Sequence, residues 1–330
     1  MPHARRIRAG RASAVFLFLA LTAASAAAAP PAPALVAPGV VDTGDDEAAP
    51  ALSPDGQTLY FVRSTPDFLR WTVLVSRRTP DGGWSAPQVA WFSGRYADAD
   101  VSFSPDGRRM FFVSTRPTAP GGAERPDTEI WTMTRTADGW SAPRHVAELE
   151  SPGNEWFPVA AADGTLYFGS ERRDGNLGPD GTADLYRARW LGDHYAEPEN
   201  LGPPINTAGE DIEGWIAPDQ SYLIFSSKGH GGEGAYDLWV SYRCEGAWTT
   251  PRNLGAPVNS YAWEFGAKLS PDGRYLYFAS NRGYGHEPLP RALDIAALNA
   301  RLHAPGNGLR DIYRVETAAL ALHSPCAARR

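Results

Sequence analysis

Five carboxylates stand at one fixed distance from a recurring turn. Glu47, Asp98, Glu155, Asp211 and Glu264 each lie six residues ahead of a Ser-Pro-Asp-Gly phrase or an eroded copy of it, at residues 53–56, 104–107, 161–164, 217–220 and 270–273. If the phrases mark equivalent places in one repeat, the five acids share one rim of a single channel. Such a ring could ligate Ca2+, which takes about 6–8 oxygen ligands, or hold a sugar. Two acids with different surroundings could also work as acid and base on a glycosidic bond, at a separation of about 5–10 Å. Repetition weighs against catalysis, because acid–base chemistry needs two carboxyls pushed to different pKa values. Arg116, Arg172 and Arg282 follow the second strands of three units and offer structural partners for the acids.

The Asp of each phrase (Asp55, Asp106, Asp163, Asp219, Asp272) has a turn role: its side chain accepts local backbone hydrogen bonds, and the following Gly supplies positive φ. No Gly-x-Ser-x-Gly elbow, His-Glu-x-x-His pair or phosphate-binding glycine loop occurs. No catalytic residue and no metal site is therefore assigned. The loops joining second and third strands differ most between units and are the better binding regions, with Arg172, His230, Arg282, Tyr284, His286 and Arg291 as candidates. Asp174, Asn176 and Asp180 sit in a polar, Gly-rich loop that could take Ca2+, although the spacing is that of ordinary turns. His230, His286 and His303 would need to converge from separate loops to hold a metal, and they lack ligand spacing.

These residues are positioned by a repeat of 51 to 57 residues. Each unit reads as a short strand into the turn, an aromatic strand after it, and a third strand, which opens on an acid in four units and is Thr72-Val73-Leu74 without the acid in the first. Those openings are Glu129-Ile130-Trp131, Asp184-Leu185-Tyr186, Asp237-Leu238-Trp239 and Asp311-Ile312-Tyr313. An aromatic and a Pro (Trp84/Pro87, Trp140/Pro143, Tyr195/Pro198, Trp248/Pro251) then lead into an outer strand, where Pro is tolerated. Units of this length built from four short strands are blades of a β-propeller. The fifth unit lacks its outer strand, and Pro33-Ala34-Leu35-Val36 near the N-terminus fits the gap. The expectation is an all-β, closed five-bladed ring over residues 30–330, completed by the N-terminal strand. The 33 Gly and 29 Pro suit such a turn-rich fold. The long loop between Arg282 and Asp311 departs most from the repeat. Asp294 can cap a short helix there, with Ile295, Leu298 and Leu302 on one face.

The Ser-Pro-Asp-Gly phrases, Ser280-Asn281-Arg282-Gly283, and the links Asn200-Leu201-Gly202 and Asn253-Leu254-Gly255 resemble the TolB-type propeller repeat of exported bacterial proteins. That resemblance implies a propeller and points to envelope protein–protein contacts; similar blades accompany peptidases and polysaccharide-degrading enzymes. Residues 1–29 read as an export signal, with Arg5, Arg6, Arg8 and Arg11 ahead of a short apolar run and small residues after it. Their removal would move the net charge from −7 to −11, which disfavours nucleic-acid binding. No later segment is apolar enough to span a membrane. Cys244 and Cys326 are a disulfide candidate in a periplasmic or secreted protein. The reading at this level is a non-catalytic module that binds an envelope protein or glycan through its second-to-third-strand loops. The alternative is a carbohydrate-active enzyme using carboxylates at the channel mouth.

Overall fold

The computed structural model describes residues 32–66, 69–285 and 288–326. Five antiparallel sheets account for its architecture. Blade one comprises Asp46–Leu52, Thr58–Ser64, Trp71–Arg77 and Gln88–Val89. Blade two comprises Asp98–Phe103, Arg109–Ser114, Glu129–Thr136 and Arg144–His145, and blade three Glu155–Ala160, Leu166–Ser170, Asp184–Ala188 and Glu199–Asn200. Blade four follows with Asp211–Ile216, Tyr222–Ser227, Asp237–Cys244 and Arg252–Asn253. Blade five contains Glu264–Leu269, Tyr275–Ser280 and Asp311–Glu316, and its fourth strand is Ala34–Leu35. Ala34 pairs with Arg314 and Leu35 with Tyr313, so the N-terminal strand closes the ring. The first strand of each blade touches the first strands of both neighbours, giving a closed five-bladed propeller around one channel.

The repeat phrases explain why the sheets form. In the first turn Gly56 adopts φ 68° and its N–H donates to the Ser53 carbonyl at 2.7 Å, while Asp55 accepts from the Gln57 amide at 3.0 Å. The same Asp contact recurs at Arg108, Thr165, Ser221 and Arg274. Gln220 replaces the Gly at φ 59°, and its side chain is held by Tyr167 and Asp163 of the preceding blade. One aromatic from each second strand (Phe61, Phe112, Phe168, Phe225, Phe278) is fully buried. These rings fill the wedges between blades and form the hydrophobic core.

The predicted helix is present at Ile295–Leu302, and Asp294 accepts from the Ala297 amide at 2.7 Å. Its apolar face is not buried: Ile295, Leu298 and Leu302 remain exposed. The end of the loop is instead tied to blade one, where the Asn307 side-chain amide donates to the Gly44 carbonyl at 3.0 Å. Gly44 packs against the His303 backbone so closely that a Cβ would stand 2.6 Å from it. Cys244 and Cys326 are joined, with Cα atoms 5.5 Å apart. No helix among the described residues is long and apolar enough to cross a membrane.

Candidate functional site

The five repeated acids are buried and held within their blades. Glu47 accepts from Thr43 Oγ1 at 2.6 Å and pairs with Arg63 at 2.9 Å. Asp98 pairs with Arg116 at 2.6 Å, and Glu155 with Arg172 at 3.4 Å. Asp211 accepts from Thr207 and Ser227, with His230 3.9 Å away. Glu264 accepts from Ser260 and Ser280 and pairs with Arg282 at 3.0 Å. The arginines also donate to carbonyls of the inter-blade links, Arg116 to Phe92, Arg172 to Leu149, and Arg282 to Pro257 and Val258. Each acid is thus part of a clasp fixing a link to its blade. Burial pushes the Glu155 carboxyl up to about 8, against the opposing pull of Arg172.

The other candidates scatter. Arg172 and Arg282 lie over the rings of Tyr186 and Tyr313. His230 packs on Trp239 and its Nε2 lies 2.9 Å from the Ile205 carbonyl oxygen, so it is built into blade four. Tyr284 donates to the Arg301 carbonyl at 3.0 Å and supports the helix. Arg291 is exposed on the same loop. His286 lies outside the described residues. His303 meets the Asn299 carbonyl at the helix end, far in the chain from His230's contacts. Asn176 bonds the Ser170 and Thr182 carbonyls and the Tyr186 hydroxyl, a turn-bracing role.

Symmetry breaks two residues beyond each repeated acid. Every inner strand carries a bulge there, seen as a register shift against the second strand. The bulged residue has positive φ in all five blades: Ala49 (50°), Asp100 (58°), Phe157 (49°), Glu213 (54°) and Gly266 (61°). Only Gly266 adopts this region without steric penalty. Left-handed backbone at Asp100, Phe157 and Glu213 is the kind of local strain that gathers at functional sites.

Asp100 and Glu213 line a cavity of about 230 Å³ at the channel mouth, on the face of the second-to-third-strand loops. Two aromatic groups line it as well. Trp71 and Trp156 touch at 5.6 Å between ring centroids, and Tyr236, Trp263 and Phe265 form the second cluster. Glu171 accepts from Trp156 Nε1 at 3.2 Å, and Glu210 pairs with Lys228 at 2.8 Å and accepts from the Tyr236 hydroxyl. Arg310 reaches the same cavity while chelating Asp46 with bonds of 2.7 to 3.0 Å.

Lys268 is buried next to Asp100 and Glu213. Its Nζ donates to the Val101 carbonyl at 2.8 Å and stands 4.0 Å from the Phe157 ring centroid. Burial lowers its pKa to about 8, against the pull of Asp100 and Glu213. Asp100 accepts from the Phe157 amide at 3.0 Å, and burial raises its pKa despite Lys268. Glu213 is pushed up to about 8, first by burial and then by the Asp100 charge. Its Oε2 has no hydrogen-bond partner. The floor therefore sets two buried carboxyls, both pushed up by burial, beside the Lys268 ammonium.

Neither a family model nor a curated protein matches the sequence. Solved structures similar in shape include a protein assigned as TolB from Agrobacterium tumefaciens (18% identity, 82% of this chain and 90% of that one, TM-score 0.46). An α-L-arabinofuranosidase from Lactobacillus brevis is similar at 12% identity over 85% and 92% of the two chains, with TM-score 0.48. A gluconolactonase from Xanthomonas campestris is similar at 16% identity over 88% and 97%, with TM-score 0.48. Likeness at this level concerns shape alone, and no activity is carried over from these proteins.

Proposed function

We propose that this chain is an exported binding propeller whose channel-mouth cavity seats one sugar unit of a glycan. The observation that carries the proposal is the asymmetric floor, with Asp100 and Glu213 facing a cavity lined by Trp71, Trp156, Tyr236, Trp263 and Phe265. A pyranose offers apolar C–H faces that stack on aromatic rings and hydroxyls that bond to carboxyl and carboxylate groups. Both partner types line one concave site, the usual composition of a small-ligand pocket. The basic, apolar and small-residue pattern of residues 1–29 supports export to a compartment where glycans occur.

The test is a glycan-array screen followed by titration calorimetry. Trp263 is 42% exposed, so Trp263→Ala is expected to leave the melting temperature unchanged. It is expected to weaken the ligand found by about tenfold, or roughly 1.4 kcal/mol. Unchanged affinity for every ligand would remove the cavity from the function.

One observation favours a second, hydrolytic reading: Asp100 and Glu213 line the same cavity floor, and burial together with the Asp100 charge pushes Glu213 up to about 8, the direction a general acid needs. Hydrolysis of aryl glycosides by the wild type, with loss in Glu213→Gln, would establish it. Binding without turnover leaves the module reading in place.

A further inference from the structure

In blades three and four, a clasp of hydrogen bonds ties the third strand to the outer strand and its link. The Asn200 amide donates to Asp184 at 2.7 Å, and the Asn206 amide donates to Asn200 at 2.7 Å. Blade four repeats the pattern with Asn253 on Asp237 and Asn259 on Asn253, both at 2.7 Å. In blade two the residue types change. His145 lies opposite Trp131, as Asn200 lies opposite Tyr186 and Asn253 opposite Trp239. Glu129 opens the third strand in place of Asp184 and Asp237, and Glu150 ends the link in place of the second Asn.

This substitution does not rebuild the clasp. Arg125 takes one oxygen from each acid, Glu129 Oε1 at 2.7 Å and Glu150 Oε1 at 3.0 Å. The other oxygens turn toward His145 Nε2, at 3.6 Å for Glu129 Oε2 and 4.0 Å for Glu150 Oε2. Both distances are too long for hydrogen bonds. Glu129 Oε2 and His145 Nε2 are buried and have no partner, and the side chains of these residues are 1% and 10% exposed. Three ligand atoms of metal-binding types therefore lie within 4.8 Å of one another around an unfilled gap. Ligands bound at about 2.0–2.2 Å around a tetrahedral ion stand roughly 3.3–3.6 Å apart, so a small inward shift of the exposed Glu150 completes the geometry.

We propose that Glu129, His145 and Glu150 bind one Zn2+, with a fourth position open to solvent beside Glu150. An imidazole nitrogen with two carboxylate oxygens suits zinc and departs from the all-oxygen shell preferred by Ca2+. The charges agree: Asp127, Glu129 and Glu150 around Arg125 leave a local balance of −2 that a divalent ion neutralises. The metal takes over the clasp, bracing the outer strand of blade two where neighbouring blades use amides.

The experiment titrates chelator-treated, tag-free protein with ZnCl2 and follows calorimetry and thermal melting. One equivalent is expected to bind and to raise the melting temperature by several degrees. Glu150→Gln, at a partly exposed position that does not threaten folding, is expected to weaken Zn2+ binding at least about tenfold. The triple variant Glu129→Asp, His145→Asn, Glu150→Asn copies the clasp of the neighbouring blades. It is expected to lose Zn2+ binding and the zinc-dependent melting shift. Absence of any Zn2+-dependent shift in the wild type, or equal affinity in wild type and Glu150→Gln, overturns the proposal.

Discussion

Glu213 joins two unusual properties, a left-handed backbone and a carboxyl that burial and the Asp100 charge push well above its usual range. Its pKa is raised from 4.5 to about 8 on folding. Between those values the folded protein retains a proton that the unfolded chain has released. Its contribution is therefore full below about pH 4.5 and is lost as pH rises through 8, at up to about 1.4 kcal/mol per pH unit. Lys268 acts with the opposite sign and in another window, because its pKa falls from 10.5 to about 8. Urea melts at about pH 5 and pH 8 should then show a shallower decline of stability in Glu213→Gln than in the wild type. Equal declines would mean that Glu213 is ionised in the fold. These residues are not legible in the sequence because they do not repeat. Ala, Asp, Phe, Glu and Gly share no chemistry, and only the fixed offset from the repeated acids marks the positions. A bulge that turns one residue into the channel leaves no composition signal.

At the scale of the element, arginine clasps seat three of the links, through Arg116, Arg172 and Arg282. Arg116 joins Asp98, Ser114 and the Phe92 carbonyl, and lies 4.7 Å from the Phe112 ring centroid. Arg116→Ala strands the buried Asp98 and should cost about 3–5 kcal/mol in unfolding free energy. Arg116→Met combined with Asp98→Asn should recover much of that loss, because no buried charge is then left alone; a double variant as weak as the single would point to lost packing. The strands and turns were legible because Asp-Gly turns and aromatic strands are local patterns. The insertion helix was legible in its cap and period, while its placement was not, since no local pattern says what lies across from Ile295 or Leu298. The zinc ligands were hidden for another reason. Glu129, His145 and Glu150 become comparable with Asp184, Asn200 and Asn206 only after strand register aligns the blades.

For the whole molecule, two long-range ties close the chain on itself. The Cys244–Cys326 bond spans 82 residues and anchors the C-terminal segment to blade four. By the chain-entropy relation, a loop of that size contributes about 4–5 kcal/mol, so Cys326→Ser should lower the unfolding free energy by up to that amount in denaturant melts under oxidising conditions. Under reducing conditions wild type and variant should coincide. The other tie is the pairing of Ala34 and Leu35 with Arg314 and Tyr313. It makes blade five a product of both chain ends, with consequences for the order of events at synthesis. The strand made first finds its partner about 280 residues later. At roughly 5–20 residues per second it waits on the order of 15–55 s with its edge unsatisfied. Blades one to four can assemble in sequence while the nascent chain lengthens, but the final seam awaits the last segment. The pairing of Ala34 and Leu35 with Arg314 and Tyr313 thus makes ring closure the last step of folding during synthesis.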